Sequence, residues 1–335
     1  MVPNTNEASL HLTRPIGVAY SGALGEKRNA RVTRARLERN PVSNPAAFIQ
    51  AMRPRQWTKN GFILVPLLFA RRMGDPESLA NSLFAVGLFC LLSGGVYVMN
   101  DLRDLVADRE HPVKRRRPIA SGRISPAAAS VFAAVLIASS LAGSFWLSRD
   151  FGLVACAYLA VQVLYTFGLK HAVILDAMCV SGGFFLRVLA GAEAIDVPVS
   201  RWLVMCALLI SLFLALAKRR SEIILLGEDD AGNHRKVLSH YSPYLLDQMI
   251  VTVVASTLVC YLLYCVAPET VAKFGTDKMI LTFPFVLYGM FRYLYLVHKK
   301  DEGGAPEVVL LTDKPLLACV CLWVAASFVI IYTGF

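Results

Sequence analysis

The sequence predicts an all-α integral membrane protein, and three features of its composition and patterning support this. Of the 335 residues, 56% are hydrophobic and 17% charged, whereas about a quarter of a soluble domain is charged. Mean hydropathy is +0.53. The apolar residues also fall in blocks close to the roughly 20 residues that a membrane-spanning helix needs. A nucleic-acid-binding protein with the formal charge of +10 would carry more charged residues, so nucleic acid is excluded as a partner.

Nine apolar blocks can be counted, and each is expected to form one transmembrane helix. They cover residues 60–72, 80–99, 126–147, 151–169, 172–194, 202–217, 246–267, 279–297 and 315–333. The first and sixth are short for a complete span. Residues 1–45 are polar, basic and without hydrophobic periodicity, which predicts a disordered cytoplasmic tail. Residues 46–335 are then the nine-helix transmembrane domain.

The distribution of the 34 Lys and Arg residues predicts the orientation. Twenty-six lie before the first block or in loops on that same side, six lie on the opposite side, and two lie within spans. Cytoplasmic loops near membrane ends carry the excess of positive charge. The N-terminus is therefore expected in the cytoplasm and the C-terminus outside, in a multi-pass protein of the inner (plasma) membrane.

The loop after the second block has the highest concentration of charge and reads NDLRDLVADREHPVKRRRPIASG. It contains Asn100, Asp101, Asp104 and Asp108 as NDxxDxxxD. If the second span continues as a helix, offsets of three and four place these side chains on one face. Such oxygen ligands suit Mg²⁺, which is commonly shared with the phosphates of a substrate.

A cationic cluster follows these acids in the same loop. Its members are His111, Lys114, Arg115, Arg116, Arg117 and Arg123. Carboxylates that hold a metal, next to Lys and Arg that bind phosphate oxygens, fit a metal-diphosphate. The alternative is an ordinary basic loop beside the membrane, which does not account for three aspartates at helical spacing.

Three further stretches on the same side supply cations. They are RPRQWTKN before the first block, YTFGLKH after the fourth and AKRRSEI after the sixth. Their candidate substrate-binding residues are Lys59, Tyr165, Lys170, Lys218, Arg219 and Glu222. Each stretch alone could be a helix end whose cations reach to the interface, but their recurrence on one side favours a binding site. Within the spans, Asp176 and Arg187 are expected to face the interior, either paired with each other or lining a polar cavity.

These motifs resemble the UbiA-type intramembrane prenyltransferase superfamily, from about Arg53 to the C-terminus. The resemblance implies a nine-helix bundle with a cytoplasm-facing, Mg²⁺-dependent active site. Most members have a second aspartate-rich motif after the sixth span, where this chain has AKRRSEI. Glu222 remains there, and Glu228, Asp229 and Asp230 follow later in the loop.

The cationic AKRRSEI segment stands where most members have the second acidic motif. Together with RPRQWTKN, the NDxxDxxxD loop and YTFGLKH, it resembles the branch of the superfamily formed by polyprenyl-phosphate phosphoribosyltransferases. The resemblance implies transfer of 5-phosphoribose from phosphoribosyl pyrophosphate to a C50-type (decaprenyl) phosphate, with release of pyrophosphate, in cell-wall arabinan precursor synthesis. It implies Asp101, Asp104 and Asp108 as catalytic residues that hold Mg²⁺ together with Asn100. Phosphates would be held by Lys59, Lys114, Arg117, Lys170, Lys218 and Arg219, the last two on the 5-phosphate.

Two alternatives are left open by the residues. An aromatic prenyltransferase of quinone biosynthesis would use the same Mg²⁺ site with a prenyl diphosphate, and it would need Glu228 to Asp230 as the second acidic cluster. A transporter or purely structural protein would place functional charge near the bilayer midplane instead of in loops. The sequence leaves open the chain length of the lipid and whether the protein forms a homo-oligomer.

Overall fold

The computed structural model describes residues 45–198, 200–226, 238, 240–299, 309 and 312–334, within the unit Pro45–Phe335. Helices and no strands occur among these residues, which confirms the all-α prediction. Except for Pro45, the predicted basic tail lies outside the described residues, as do Glu228, Asp229 and Asp230.

Eight helices of the described part of the chain are long and apolar enough to cross a membrane. In chain order they are α3 (Pro76–Arg103), α5 (Pro126–Leu147), α6 (Arg149–Phe167), α7 (Leu175–Glu193), α8 (Arg201–Leu226), α9 (Pro243–Val266), the 3₁₀ helix Lys278–Thr282 continued by α11 (Phe283–Lys299), and α12 (Lys314–Thr333). The short helices are α1 (Pro45–Ala51), α2 (Val65–Phe69), α4 (Leu105–Glu110) and α10 (Pro268–Phe274). Several long helices begin at a capping side chain; Ser125, for example, accepts a hydrogen bond from the Ala128 amide.

The first predicted span is not a long α-helix, so the prediction of nine transmembrane helices is not confirmed at this position. A 3₁₀ helix, Pro54–Leu64, precedes the five-residue α2. Arg53, before this segment, bonds to Asp101 near the end of α3, and Met73, after it, donates its amide to Tyr332 near the end of α12. At 2.0 Å rise per 3₁₀ residue and 1.5 Å per α residue, the segment extends about 30 Å. It therefore connects the two ends of the bundle in an unusual conformation.

Buried polar contacts hold this 3₁₀ segment in place. Asn60 is fully buried and accepts a hydrogen bond from Arg187 Nε on α7 at 2.8 Å, while its amide nitrogen lies 3.4 Å from Ser93 Oγ on α3. Arg187 also donates to Tyr158 OH on α6 at 2.8 Å. Arg187 thus joins the 3₁₀ segment and α6 to its own helix α7. It is not paired with Asp176, which was one of the two arrangements expected.

The sixth span is longer than predicted. Helix α8 continues through Leu226, so the AKRRSEI residues expected in a loop form its last turns. Four helix ends consequently lie at the same end of the bundle. They are the end of α3 with Asp101, the end of α6 with Tyr165, the start of α7 with Asp176 and the end of α8 with Arg219.

Candidate active site

The NDxxDxxxD motif lies on two helices instead of one. Helix α3 ends at Arg103, and α4 begins at Leu105 with Asp104 between them in a non-helical conformation (φ −94°, ψ 13°). The condition for a single helical face, that the helix continues without interruption, is therefore not met at Asp104. The Asp104 carboxylate has a different partner from those of Asp101 and Asp108.

Asp101 and Asp108 meet at one guanidinium group. Arg117 Nη1 donates to Asp108 Oδ2 at 2.6 Å and lies 3.1 Å from Asp101 Oδ1. Both carboxylates have side chains only 3% exposed. Arg53 also pairs with Asp101 and places its guanidinium 5.0 Å from the centre of the Tyr97 ring. Two arginines from different stretches therefore compensate this buried acidic pair.

Asp104 and Asn100 face the YTFGLKH stretch. Lys170 Nζ donates to both oxygens of Asp104, at 2.8 and 3.2 Å. Asn100 Oδ1 lies 2.5 Å from Thr166 Oγ1 on the last turn of α6. The side chain of Asp104 is 40% exposed, so this carboxylate is the most accessible of the three. The NDxxDxxxD motif and the YTFGLKH stretch thus form one site.

A second charged group is centred on Asp176 at the start of α7. Arg219 Nε donates to Asp176 Oδ2 at 2.7 Å, and Arg219 Nη1 to Glu222 Oε2 at 3.0 Å. Tyr241 OH donates to Asp176 Oδ1 at 2.9 Å. Burial, with a smaller contribution from this bond, raises the pKa of Tyr241 to about 12, so the hydroxyl remains a donor at physiological pH. Arg219 is therefore buried between two carboxylates.

Lys114, Tyr165 and Lys218 also lie at this end of the bundle, and Lys59 lies within the 3₁₀ segment, next to the buried Asn60. Lys59, Lys114, Tyr165 and Lys218 are half-buried, and Tyr165 is close enough to Arg219 to interact with it electrostatically. His111 Nδ1 accepts the amides of Val113 and Lys114 at 3.1 and 3.3 Å. This nitrogen thus shapes the turn that carries Lys114.

Three partners were not selected from the sequence. Arg53 belongs to the RPRQWTKN stretch, whose recurrence with the acidic motif was a signal for it. Thr166 lies within YTFGLKH and carried no separate signal. Tyr241 had no signal, because an isolated tyrosine before a helix is common.

The donor set fits a divalent cation in its chemistry. Among the described residues, no three His, Cys, Asp or Glu side chains converge as a ready metal site. However, Asp101 and Asp108 already direct one oxygen each at a single positively charged atom, Arg117 Nη1. Carboxylate oxygens are the ligands that Mg²⁺ prefers, usually with several waters retained. With the surrounding Lys and Arg side chains, the arrangement can bind a metal together with phosphate groups.

Sequence comparison relates the chain to a family and to named enzymes. The profile of the UbiA prenyltransferase family matches residues 61–312. Decaprenyl-phosphate phosphoribosyltransferase of Mycolicibacterium smegmatis is 34% identical over 314 residues, which is 88% of this chain and 97% of that protein. The enzyme of the same name from Corynebacterium glutamicum is 36% identical over 305 residues, 88% of this chain and 90% of that protein.

Comparison of structures gives the same fold. A UbiA homologue from Archaeoglobus fulgidus, solved with GPP and Mg²⁺ bound, superposes with a TM-score of 0.66 and covers 85% of this chain and 99% of its own. The two sequences are 17% identical, so this likeness is evidence for the fold alone. It confirms the predicted UbiA-like bundle.

Proposed function

Because the chain belongs to the UbiA prenyltransferase family, a family of transferases, we propose that it is a polyprenyl-phosphate phosphoribosyltransferase. It would transfer 5-phosphoribose from phosphoribosyl pyrophosphate to a decaprenyl-type phosphate and release pyrophosphate, as a step toward cell-wall arabinan. The observation that carries the proposal is the 34% identity over 97% of a relative named for this activity. The cationic end of α8 supports it, because the donor has a 5-phosphate in addition to its diphosphate.

The proposed cofactor is Mg²⁺, held by Asn100, Asp101, Asp104 and Asp108. When bound, it supplies charge neutralisation on the diphosphate that leaves. The support is the pair of buried carboxylates directed at one cationic atom, with Asp104 and Asn100 beside them. The solved A. fulgidus homologue also contains Mg²⁺.

The chain's own residues bind and orient the two substrates. Lys59, Lys114, Arg117 and Lys170 are proposed to bind phosphate oxygens beside the aspartates. Lys218 and Arg219 are proposed to bind the 5-phosphate of the donor, with Tyr165 and Glu222 beside them. No protein nucleophile is required, since the acceptor phosphate is already anionic at pH 7. Catalysis then comes from positioning the acceptor phosphate against C1 of the ribose and stabilising the leaving pyrophosphate.

The proposed setting is the inner membrane, with the active site at the cytoplasmic face. Phosphoribosyl pyrophosphate is water-soluble, whereas the polyprenyl tail requires an apolar environment between or around the helices. A site at the end of the bundle gives both substrates access. The excess of Lys and Arg at this end supports the cytoplasmic orientation.

One assay tests the proposed reaction. Purified protein in detergent is incubated with Mg²⁺, phosphoribosyl pyrophosphate labelled in the ribose, and a polyprenyl phosphate, and label is counted in the organic phase. We expect lipid-soluble label that depends on both the acceptor and Mg²⁺. Prenyl transfer from a prenyl diphosphate to an aromatic acid, with none from phosphoribosyl pyrophosphate, would refute the proposal in favour of the quinone-type alternative.

A further inference from the structure

The carboxylates proposed to bind the metal are each engaged by a cation of the chain. Arg117 bridges Asp101 and Asp108, Arg53 adds to Asp101, and Lys170 caps both oxygens of Asp104. Arg117 and Lys170 are also among the residues proposed to bind the donor's phosphates. The same charged groups therefore have two competing uses.

The position of Arg117 makes this competition direct. Its Nη1 atom lies 3.1 Å from Asp101 Oδ1 and 2.6 Å from Asp108 Oδ2, so one positive atom stands between two carboxylate oxygens. A divalent cation that bridged those oxygens would need this place, because two cations at such a separation repel each other strongly. Metal binding there must displace the Arg117 guanidinium.

When a diphosphate is present, the displaced Arg117 and Lys170 side chains have a new partner. Arg117 has a side chain 28% exposed and Lys170 one that is 18% exposed, so both can turn toward a ligand in the site. Arginine binds phosphate oxygens through two parallel hydrogen bonds. Without a diphosphate, the same displacement would break compensated ion pairs around buried carboxylates and offer the cations nothing in exchange.

We propose that Arg117 and Lys170 are exchangeable counter-ions, which occupy the metal's carboxylates in the free protein and transfer to the diphosphate when metal and donor bind. This inference rests on the proposed function for the identity of the two ligands. Its consequence is that metal and diphosphate bind cooperatively, and each raises the affinity of the other by the same factor. The free protein holds divalent metal weakly, so the metal is retained only when the donor is present.

Direct metal binding tests the exchange without turnover. Mn²⁺ serves as the probe, and free Mn²⁺ is measured by electron paramagnetic resonance in detergent solution, with and without inorganic pyrophosphate and against protein-free blanks. Arg117→Gln removes the bridging charge, so it should bind Mn²⁺ alone about fivefold or more tighter than the unmodified protein. The gain in affinity that pyrophosphate produces should fall by a similar factor.

Arg109→Gln is the matched control, because Arg109 is exposed on α4, next to Asp108 in sequence, and has no ion pair with Asp101, Asp104 or Asp108. It should leave Mn²⁺ affinity unchanged within about twofold. Lys170→Gln tests the same exchange at Asp104 and decides the question if Arg117→Gln does not fold. Unchanged or weaker Mn²⁺ binding in the folded variants would refute the exchange.

This experiment separates the exchange from the proposed reaction, because it contains neither phosphoribosyl pyrophosphate nor lipid. Tighter Mn²⁺ binding by the variants in a protein that transfers no phosphoribose would support the exchange and refute only the reaction. Transfer by a protein whose variants bind Mn²⁺ normally would refute only the exchange.

Discussion

Asp104 differs from the other two aspartates in exposure, and this difference separates an effect on activity from an effect on folding. Its side chain is 40% exposed and paired with Lys170, whereas those of Asp101 and Asp108 are 3% exposed. A partly exposed ion pair contributes about 0–1 kcal/mol to stability. Removal of one partner from a buried pair costs several times more.

We therefore predict that Asp104→Ala lowers phosphoribosyl transfer by about a hundredfold or more, as expected for loss of a group that stabilises developing charge, with little change in thermal stability. Transfer of labelled ribose and thermal unfolding in detergent measure the two effects. Glu110→Ala is the control, because Glu110 is an exposed carboxylate on α4, the helix that follows Asp104. Near-normal transfer by Asp104→Ala at saturating Mg²⁺ would exclude this residue from the mechanism.

Lys218 and Arg219 are adjacent in sequence but differ in their surroundings. Lys218 is half-buried, and no hydrogen bond or ion pair to its amine is found within the described residues. Arg219 is held by Asp176, which is fully buried, and by Glu222. The same substitution should accordingly have two different outcomes.

Lys218→Ala should raise the KM for phosphoribosyl pyrophosphate about tenfold or more, through loss of a charge-assisted bond of roughly 1.5–3 kcal/mol. The KM for polyprenyl phosphate should change much less, because the lipid binds through its own phosphate and tail.

Arg219→Ala should instead destabilise the protein by about 3–5 kcal/mol, since it leaves Asp176 charged and buried. Steady-state kinetics and thermal unfolding distinguish these outcomes, with Lys299→Ala as an exposed control. If Lys218→Ala raised the KM of both substrates equally, Lys218 would act through a general positive potential and the prediction of a specific 5-phosphate contact would be contradicted.

At the scale of elements, the backbone of the 3₁₀ segment lies in close contact with α7. Gly191 on α7 lies against the carbonyl of Ile63, and a Cβ at this position would clash with that oxygen. Three residues before Ile63, Asn60 is bonded to Arg187 on the same helix. Displacement of this segment would shift Lys59 and Arg53 relative to the aspartates.

We predict that Gly191→Ala lowers stability by about 1–3 kcal/mol, as expected for overpacking, and also lowers transfer. Gly182→Ala is a matched control on the same helix, because no atom lies within 4 Å of the added Cβ. It should retain activity and unfold at the same temperature or slightly higher, since alanine favours helix over glycine. Unfolding temperatures and transfer rates that match in the two variants would show that the 3₁₀ segment does not need this close contact.

For the whole molecule, the charges and the contacts support one topology. The site end carries Asp101, Lys170 and Arg219, whereas α5 ends and α6 begins at the opposite end, near Arg149. Lys273 on α10 lines a cavity with Ala70, which follows the 3₁₀ segment and α2 at that opposite end. Both positions should face the outside of the cell.

Reporter fusions after Arg149 and after Lys273 should therefore map outside, and a fusion after Lys299 should map to the cytoplasm. A reporter that is active only in one compartment provides the measurement. Detection of either of the first two fusions in the cytoplasm would contradict the orientation and would place the cationic loops on the wrong side for a soluble phosphorylated donor.

The sequence by itself determined the all-α membrane class, the positions of the eight candidate membrane-spanning helices in the described part of the chain, and the clustering of charge at one end. Hydrophobic blocks of membrane length leave little freedom, because every backbone polar group in lipid must be satisfied within a helix. It also determined that the chain is an enzyme of its family, since the NDxxDxxxD loop and its cationic continuation form a local motif that depends on no long-range contact.

Only the tertiary structure decided how these residues are paired. The 3₁₀ form of residues 54–64, the break at Asp104 and the partnership of Asp176 with Arg219 all depend on residues distant in sequence. Arg187 and Asp176 on α7 were both expected to find partners, but the sequence alone did not show that Arg187 bonds to the neutral Asn60 and Tyr158 and Asp176 to Arg219. The choice follows from packing: each buried charge bonds to the groups that the folded bundle brings within about 3 Å, and hydropathy and spacing carry no information about those distances.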